Sequence, residues 1–239
     1  MQQEIRVEDL AKILEVSPLT IRRDLNRLSH DRMVIRTHGG CVPAGRAALE
    51  SEYHRKVALN FELKKAIGFS AAAEVHPGEV ILINDGSTTF HLATHLGGHG
   101  MLTVFTNSIA MISELSRNRN ISLHILGGEY NAGLYSLSGS LTERLIELFS
   151  FDTIFLGVDA VDDRGTCLVN TIAEARLTQV MLRRGVKKIL LADHTKVGKH
   201  GHFSFGTLDD FDLWITTRGI DRDLYRSFTR QTHIREAIV

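Results

Sequence analysis

Cysteine is scarce in this chain: two residues, Cys41 and Cys167, among 239. They lie far apart with no C-x-x-C or Cys/His ligand spacing, which argues against a disulfide framework or a cysteine-based zinc site. An excess of charge of either sign is missing as well, since 28 lysines and arginines balance 28 aspartates and glutamates. Overall charge therefore names no partner, and local charge must be read instead. No apolar run approaches the roughly 20 residues of a membrane helix. The start, MQQEIRVEDL, lacks the charged and apolar blocks of a signal peptide. A cytoplasmic protein with no membrane partner is expected. No repeat or low-complexity tract occurs. At 43% hydrophobic residues, a chain of this length can bury one large core, or a medium core plus a small module.

What is present divides into two patterns. In VEDLAKIL, residues Val7, Leu10, Ala11 and Leu14 follow the i, i+3, i+4, i+7 spacing of one helical face. Three residues later a second helix opens with Ser17 as N-cap and Pro18 at its first position. Ile21, Leu25 and Leu28 face the core of that helix, leaving Arg22, Arg23, Asn26 and Arg27 on the other sides. Helix, short turn and polar-faced helix make a helix-turn-helix pattern. MVIRTHGGC then reads as strand, Gly-Gly turn and return strand, a wing. From Ser17 to Gly40 five arginines stand against two aspartates and no lysine. Such arginines suit guanine edges and phosphate oxygens. The alternative is a solvated helix whose arginines pair with nearby acids, but the turn length, Pro18 and the wing favour double-stranded DNA. The candidate DNA-binding residues are Ser17, Thr20, Arg22, Arg23, Asn26, Arg27, Arg36 and His38.

Residues 1–45 are thus read as the DNA-binding domain and 46–60 as a linker. From 61 to 239 strands and helices alternate: helix 61–75, strand 80–84, helix 88–96, strand 102–106, helix 108–117, strand 121–126, helix 140–149, strand 153–158, helix 172–184, strand 188–192 and strand 213–216. Strands such as VILIN and TIFLGV are almost continuously apolar, as in a mostly parallel sheet with both faces covered. The fold class is α/β. Ligands of such sheets bind beyond the carboxyl ends of the strands. Those ends carry Asp85, Gly86, Ser87, Thr88 and Thr89; Thr106 and Asn107; Gly127, Gly128 and Tyr130, with Gly139 a turn later; Asp159; and Asp193 and Lys196. Hydroxyls, glycines, carboxylates and one lysine suit a phosphorylated polyol. Taken singly, Ser87 or Thr88 is equally a helix cap, and each acid equally a turn cap.

These motifs resemble the DeoR-type family of bacterial transcriptional regulators along essentially the whole chain. SPLTIRRDLNRL followed by THGG resembles its helix-turn-helix signature, and NDGSTT, TNS, LGGEY, GVDA and ADHTK resemble successive motifs of its sensor domain. The resemblance implies a winged-helix DNA reader joined to a sensor domain like ribose-5-phosphate isomerases and CoA transferases, with a phosphorylated sugar as effector, Glu174 in the effector site and action as a repressor. It also implies a helix ahead of Val7, so the winged module is expected to lack its first helix. Many relatives have a lysine four residues beyond the acid matched by Glu174, where this sequence has Thr178.

The competing reading is an aldose-ketose sugar-phosphate isomerase, with Asp159 or Glu174 as base and Lys196 stabilising an enediolate. The DNA module argues against it, and fold does not fix function. Among twelve histidines, His91 and His95 share a helical face, with His99 beyond. Gly97-Gly98 is expected to end that helix and no carboxylate completes a ligand set, so neither metal nor cofactor is expected. Because paired recognition helices read operators, a homo-oligomer, dimer or tetramer, is expected.

Overall fold

The computed structural model describes residues 5–30, 34–37, 39–43, 53 and 56–239. They fall into two compact units, Met1–Arg55 and Lys56–Val239.

In the first unit α1 (Val7–Ile13) and α2 (Pro18–His30) accompany a sheet in the order β1 (Ile5–Arg6), β3 (Gly40–Pro43), β2 (Val34–Arg36), whose first strand precedes the helices in the chain. The Ser17 Oγ accepts the Thr20 backbone N–H at 3.1 Å, capping α2 one residue before Pro18. Val7, Ala11, Ile21, Leu25 and Cys41 form the core, with Leu10, Leu28 and Val34 packed against it. Leu14 is a correction to the expected face: it is 58% exposed because α1 ends at Ile13 and the chain turns through Glu15, whose φ is +53°. The wing has an additional strand, β1, paired antiparallel to β3. Its turn is closed by the Gly40 N–H donating to Thr37 Oγ1 at 3.0 Å and the Thr37 N–H donating to Gly40 O at 3.1 Å. The Val7 N–H reaches Gly39 O at 3.0 Å, tying α1 to the wing. Gly40 is obligatory: a Cβ there would lie 2.0 Å from Ile5 O. His38, residues 44–45 and most of the expected linker, 46–52 and 54–55, lie outside the described residues. Residues 56–58 are helical and belong to the second unit.

The second unit is built on a seven-stranded sheet in the order β15-β14-β12-β9-β4-β5-β6. Its strands are β4 (Val80–Ile83), β5 (Leu102–Thr106), β6 (Ile121–Ile125), β9 (Phe151–Gly157), β12 (Gly185–Leu191), β14 (Leu213–Thr217) and β15 (His233–Ala237). Every neighbouring pair is parallel. Side chains alternate between two cores. Ile81, Ile83, Phe155, Ile189, Leu191, Leu213 and Ile215 join Ile67 and Ala71 of α3 (Phe61–Ala72) and Leu92 of α4 (Ser87–Ala93). Leu82, Ile154, Leu156, Leu190 and Trp214 join Ile146 of α6 (Ser140–Glu147), Met181 of α7 (Ile172–Leu182) and Phe228 of α8 (Arg222–Phe228). Apolar residues at both parities explain the unbroken hydrophobic runs.

Four departures from the sequence expectation trace to tertiary pairing. The helix expected over 108–117 contracts to α5, Ile112–Leu115. Residues 107–109 instead hydrogen-bond to 135–137, with Leu137 N–H on Asn107 O at 2.8 Å and Ile109 N–H on Tyr135 O at 3.1 Å. A hairpin of β7 (Glu129–Asn131) and β8 (Ser136–Ser138) follows β6. A separate antiparallel sheet joins β10 (Ala160–Val161), β11 (Thr166–Val169) and β13 (Phe203–Thr207). Finally, α8 and β15 extend the main sheet past the last expected strand.

The Gly40 clash yields a prediction. Gly40→Ala is expected to destabilise the winged unit by about 1–3 kcal/mol, in line with overpacking, and to weaken operator binding. Denaturant melts and DNA titration of the variant check this.

Candidate functional site

The second unit starts in the middle of its own sheet. From β4 the chain proceeds outward through β5 and β6, and then returns to the other side of β4 with β9 before moving outward through β12, β14 and β15. The strand order therefore reverses between β4 and β9. Connections diverge there, leaving a crevice beyond the carboxyl ends of the two central strands, where open α/β sheets place their ligands. Asn84 spans it. Its backbone N–H donates to Phe155 O at 3.1 Å, and its side-chain Oδ1 accepts the Gly157 N–H at 3.0 Å. Sequence reasoning passed over Asn84 because an amide at a strand end carries no periodic signal.

Asp85 and Asn107 link the ends of β4 and β5 reciprocally. Asn107 Nδ2 donates to Asp85 Oδ1 at 2.7 Å, while the Asp85 backbone N–H donates to Asn107 Oδ1 at 3.0 Å. Burial pushes the Asp85 carboxyl up to about 6, against the Asn107 bond that favours its charged form. Glu174 stands in the first turn of α7, where Thr171 caps the helix by accepting the Glu174 N–H and donates its hydroxyl to the carboxylate at 2.7 Å. Burial, reinforced by repulsion from Asp159 and Asp85, pushes Glu174 up to about 7. Three carboxylates from three strand-end segments thus share one electrostatic environment.

The cation comes from the end of β12. Lys196 is lowered by burial, with Asp159 and Asp193 acting in the opposite direction. Asp193 is fully buried: Oδ1 accepts the Thr195 N–H at 2.9 Å, whereas Oδ2 has no hydrogen-bond partner among the described residues. A second lysine, Lys64 of α3, lies in the same field and is only 3% exposed. The sequence signal for Lys64 was its place on the α3 face shared by Ile67, Gly68 and Ala71, a position ordinarily apolar.

Other expected residues brace the crevice. Gly86 and Ser87 are partly exposed at the start of α4, whereas Thr88 is buried there. The buried Thr89 hydroxyl donates to Asn84 O at 2.8 Å and to Gly86 O at 3.0 Å. Thr106, also buried, accepts the Ser108 N–H at 3.0 Å. Gly127 O accepts the Thr142 hydroxyl at 2.7 Å. Gly128 packs so closely that a Cβ would lie 2.4 Å from Ser138 O. Gly139 precedes α6 with φ +94°, and Tyr130 in β7 meets Tyr135 edge-on at 6.1 Å. Thr178 is buried with its hydroxyl donating to Glu174 O at 2.8 Å, inside its own helix.

In the winged unit Thr20, Arg22, Arg23, Asn26 and Arg27 are all exposed on α2. Arg36 is partly buried on β2, its Nη1 without a hydrogen-bond partner among the described residues. Among the described residues no group of three or more His, Cys, Asp or Glu side chains is placed to hold a metal ion. His91 packs edge-on against Phe61 at 5.1 Å, the His95 ring meets His91 O at 2.7 Å, and the His99 ring meets Ala72 O at 2.8 Å. No helix among the described residues is long and apolar enough to cross a membrane.

Residues 59–218 match the DeoR C terminal sensor domain, and residues 1–44 match the DeoR-like helix-turn-helix domain. The chain belongs to the DeoR family. This DeoR-family protein is 33% identical to the HTH-type transcriptional regulator GlpR of Haloferax volcanii over 91% of its own length and 85% of that protein. It is 30% identical to the HTH-type transcriptional repressor GlcR of Bacillus subtilis over 90% of its length and 82% of that protein. Among solved structures, a D-ribose-5-phosphate isomerase in complex with phospho-erythronic acid matches 57% of this chain and 53% of that one, at TM-score 0.42 and 18% identity.

The raised Asp85 sets a pH dependence for this DeoR-family chain. With its carboxyl lifted from 3.8 to about 6, the folded state binds more protons than the unfolded state between those values. The group's contribution to stability falls as pH rises through that window. Asp85→Asn is expected to gain about 1–2 kcal/mol on wild type between pH 4 and 7, read as the difference between paired denaturant melts.

Proposed function

We propose that this DeoR-family regulator represses a sugar or polyol catabolic operon, and that a phosphorylated sugar bound in the β4/β9 crevice controls its affinity for double-stranded operator DNA. The observation that carries the reading is Asp193 beside Lys196. A buried carboxylate oxygen without a partner is costly, and a sugar hydroxyl at Oδ2 satisfies it while Lys196 meets the phosphate. Asp85, Asp159 and Glu174 supply further acceptors for hydroxyls. The partly exposed Gly86 and Ser87 border the crevice, with Asn107 holding Asp85 in place.

In the winged unit, the exposed Arg22, Arg23, Asn26 and Arg27 form the face of α2 that enters the major groove, with Arg36 and His38 of the wing and Ser17 and Thr20 at the start of α2 on the flanking backbone. A homo-oligomer places two such helices about one turn of DNA apart. The isomerase alternative is not favoured, because the relatives that match across nine-tenths of the chain are named as a regulator and a repressor. Effector binding shifts DNA affinity only through unequal affinity for two arrangements of the protein.

A thermal-shift panel of pentose and hexose phosphates with their unphosphorylated counterparts tests the sensor. Stabilisation by a phosphorylated member and not by its free sugar is the expected result. Lys196→Ala is expected to lower affinity for that member at least about tenfold by calorimetry, with operator binding retained. Unchanged affinity removes Lys196 from the site. On the DNA side, Arg23→Ala is expected to weaken operator binding by about 1–3 kcal/mol and to flatten its salt dependence.

A further inference from the structure

Lys64 occupies a core position of α3, one turn ahead of Ile67 and Gly68, and is 3% exposed. An ammonium in such a place needs an acceptor. Its Nζ donates to the backbone carbonyl of Lys56, the first residue of the sensor unit. The charges in its neighbourhood, Lys196, Asp193, Lys199 and Lys56, include the lysine and the aspartate of the crevice. Two other contacts fasten the same stretch of chain. Asn60 Nδ2 donates to Thr195 Oγ1 at 3.1 Å, and the Thr195 hydroxyl in turn donates to Asp193 Oδ1. The His91 ring meets Val57 O at 3.4 Å, with Phe61 packed edge-on against the same ring. Residues 56–60, which continue the chain out of the winged unit, are therefore held by Lys64, Thr195 and His91. Lys64 shares the field of the crevice charges, and Thr195 is bonded to one of them.

We propose that Lys64 is a second cation of the effector site, and that residues 56–60 are a latch it keeps closed until an anion beside Lys196 draws its ammonium from the Lys56 carbonyl. This rests on the anionic effector proposed above. A phosphate oxygen bears formal charge and a carbonyl oxygen only a partial one, so an ammonium placed between them follows the phosphate. The same anion competes with Asp193 Oδ1 for the Thr195 hydroxyl proton, while Asn60 Nδ2 keeps its bond to Thr195 Oγ1. The two states differ in identifiable bonds, the condition for a ligand to shift an equilibrium. In the closed state the ammonium spends its charge on residue 56. In the bound state it spends it on the ligand, and the segment leading to the winged unit loses the Lys64 bond to residue 56.

Hydrogen exchange on the full chain tests this, with inorganic phosphate as the probe against chloride at equal ionic strength. Phosphate is expected to raise the wild-type melting temperature and to speed exchange of the amides of residues 57–60 about tenfold. Lys64→Met, similar in length and uncharged, is expected to exchange fast at 57–60 without phosphate, to show no further change with it, and to lose most of the thermal shift. Lys64→Arg restores part of both effects. Asn60→Ala, which removes the bond to Thr195 and leaves the Lys64 ammonium in place, is expected to speed the same amides while keeping the phosphate shift. A wild-type protein that phosphate stabilises without faster exchange at 57–60 overturns the latch and leaves the anion site standing. A Lys64→Met shift equal to wild type overturns the second cation. Absence of any phosphate shift in wild type overturns the anion site, and the latch with it.

Discussion

The sensor unit depends on one constraint: an all-parallel sheet that begins with a central strand must reverse direction of growth somewhere, and here it does so between β4 and β9. Parallel strands need crossover connections, and those leaving β4 and β9 turn to opposite sides. The gap between them cannot be covered by either connection. Asn84 closes the backbone beneath that gap by bonding both the carbonyl of Phe155 and the N–H of Gly157. The opening above it collects the first residues after each strand, so the polar composition of those turns follows from topology.

Concentrating charge there has a cost that the structure distributes. Burial, with lesser repulsion among Asp85, Asp159 and Glu174, makes Asp85 and Glu174 hold protons more tightly than ordinary carboxyls. Lys196 and Lys64 face the opposite penalty, and each is partly compensated by Asp193. The anionic sugar proposed above relieves the lysines and gives Asp193 Oδ2 the partner it lacks among the described residues. The bonds from Lys64 to Lys56 O and from Asn60 to Thr195 are what tie the proposed effector site to the proposed latch.

The winged unit uses a different economy. Among the described residues its core is five small or medium side chains with Leu10, Leu28 and Val34 packed against them, and the polar residues Thr20, Arg22, Arg23, Asn26 and Arg27 of α2 are exposed. The wing turn is built from Thr37, Gly39 and Gly40, where main-chain closeness to Ile5 excludes any side chain at Gly40. Gly40 of the THGG motif is therefore fixed by backbone packing, and the exposed arginines Arg22, Arg23 and Arg27 lie on α2.

The amino-acid sequence by itself determined the helix-turn-helix, through Pro18, the Ser17 cap and the spacing of Ile21, Leu25 and Leu28, and it determined the parallel sheet, through strands apolar at both parities. These signals are local and periodic, so they survive in one dimension. It also made the strand-end motifs NDGSTT, TNS and ADHTK legible, because turn chemistry uses few residue types. Tertiary structure alone decided that residues 107–109 pair with 135–137 and do not continue a helix, since the competing partners lie far along the chain. It decided, too, that the hydroxyls of Thr89 and Thr106 are enclosed as braces, and that Asn84, Lys64 and Asn60 matter. Each of these is defined by a partner distant in sequence or by burial on a crowded face, and neither property leaves a mark on the spacing of residues.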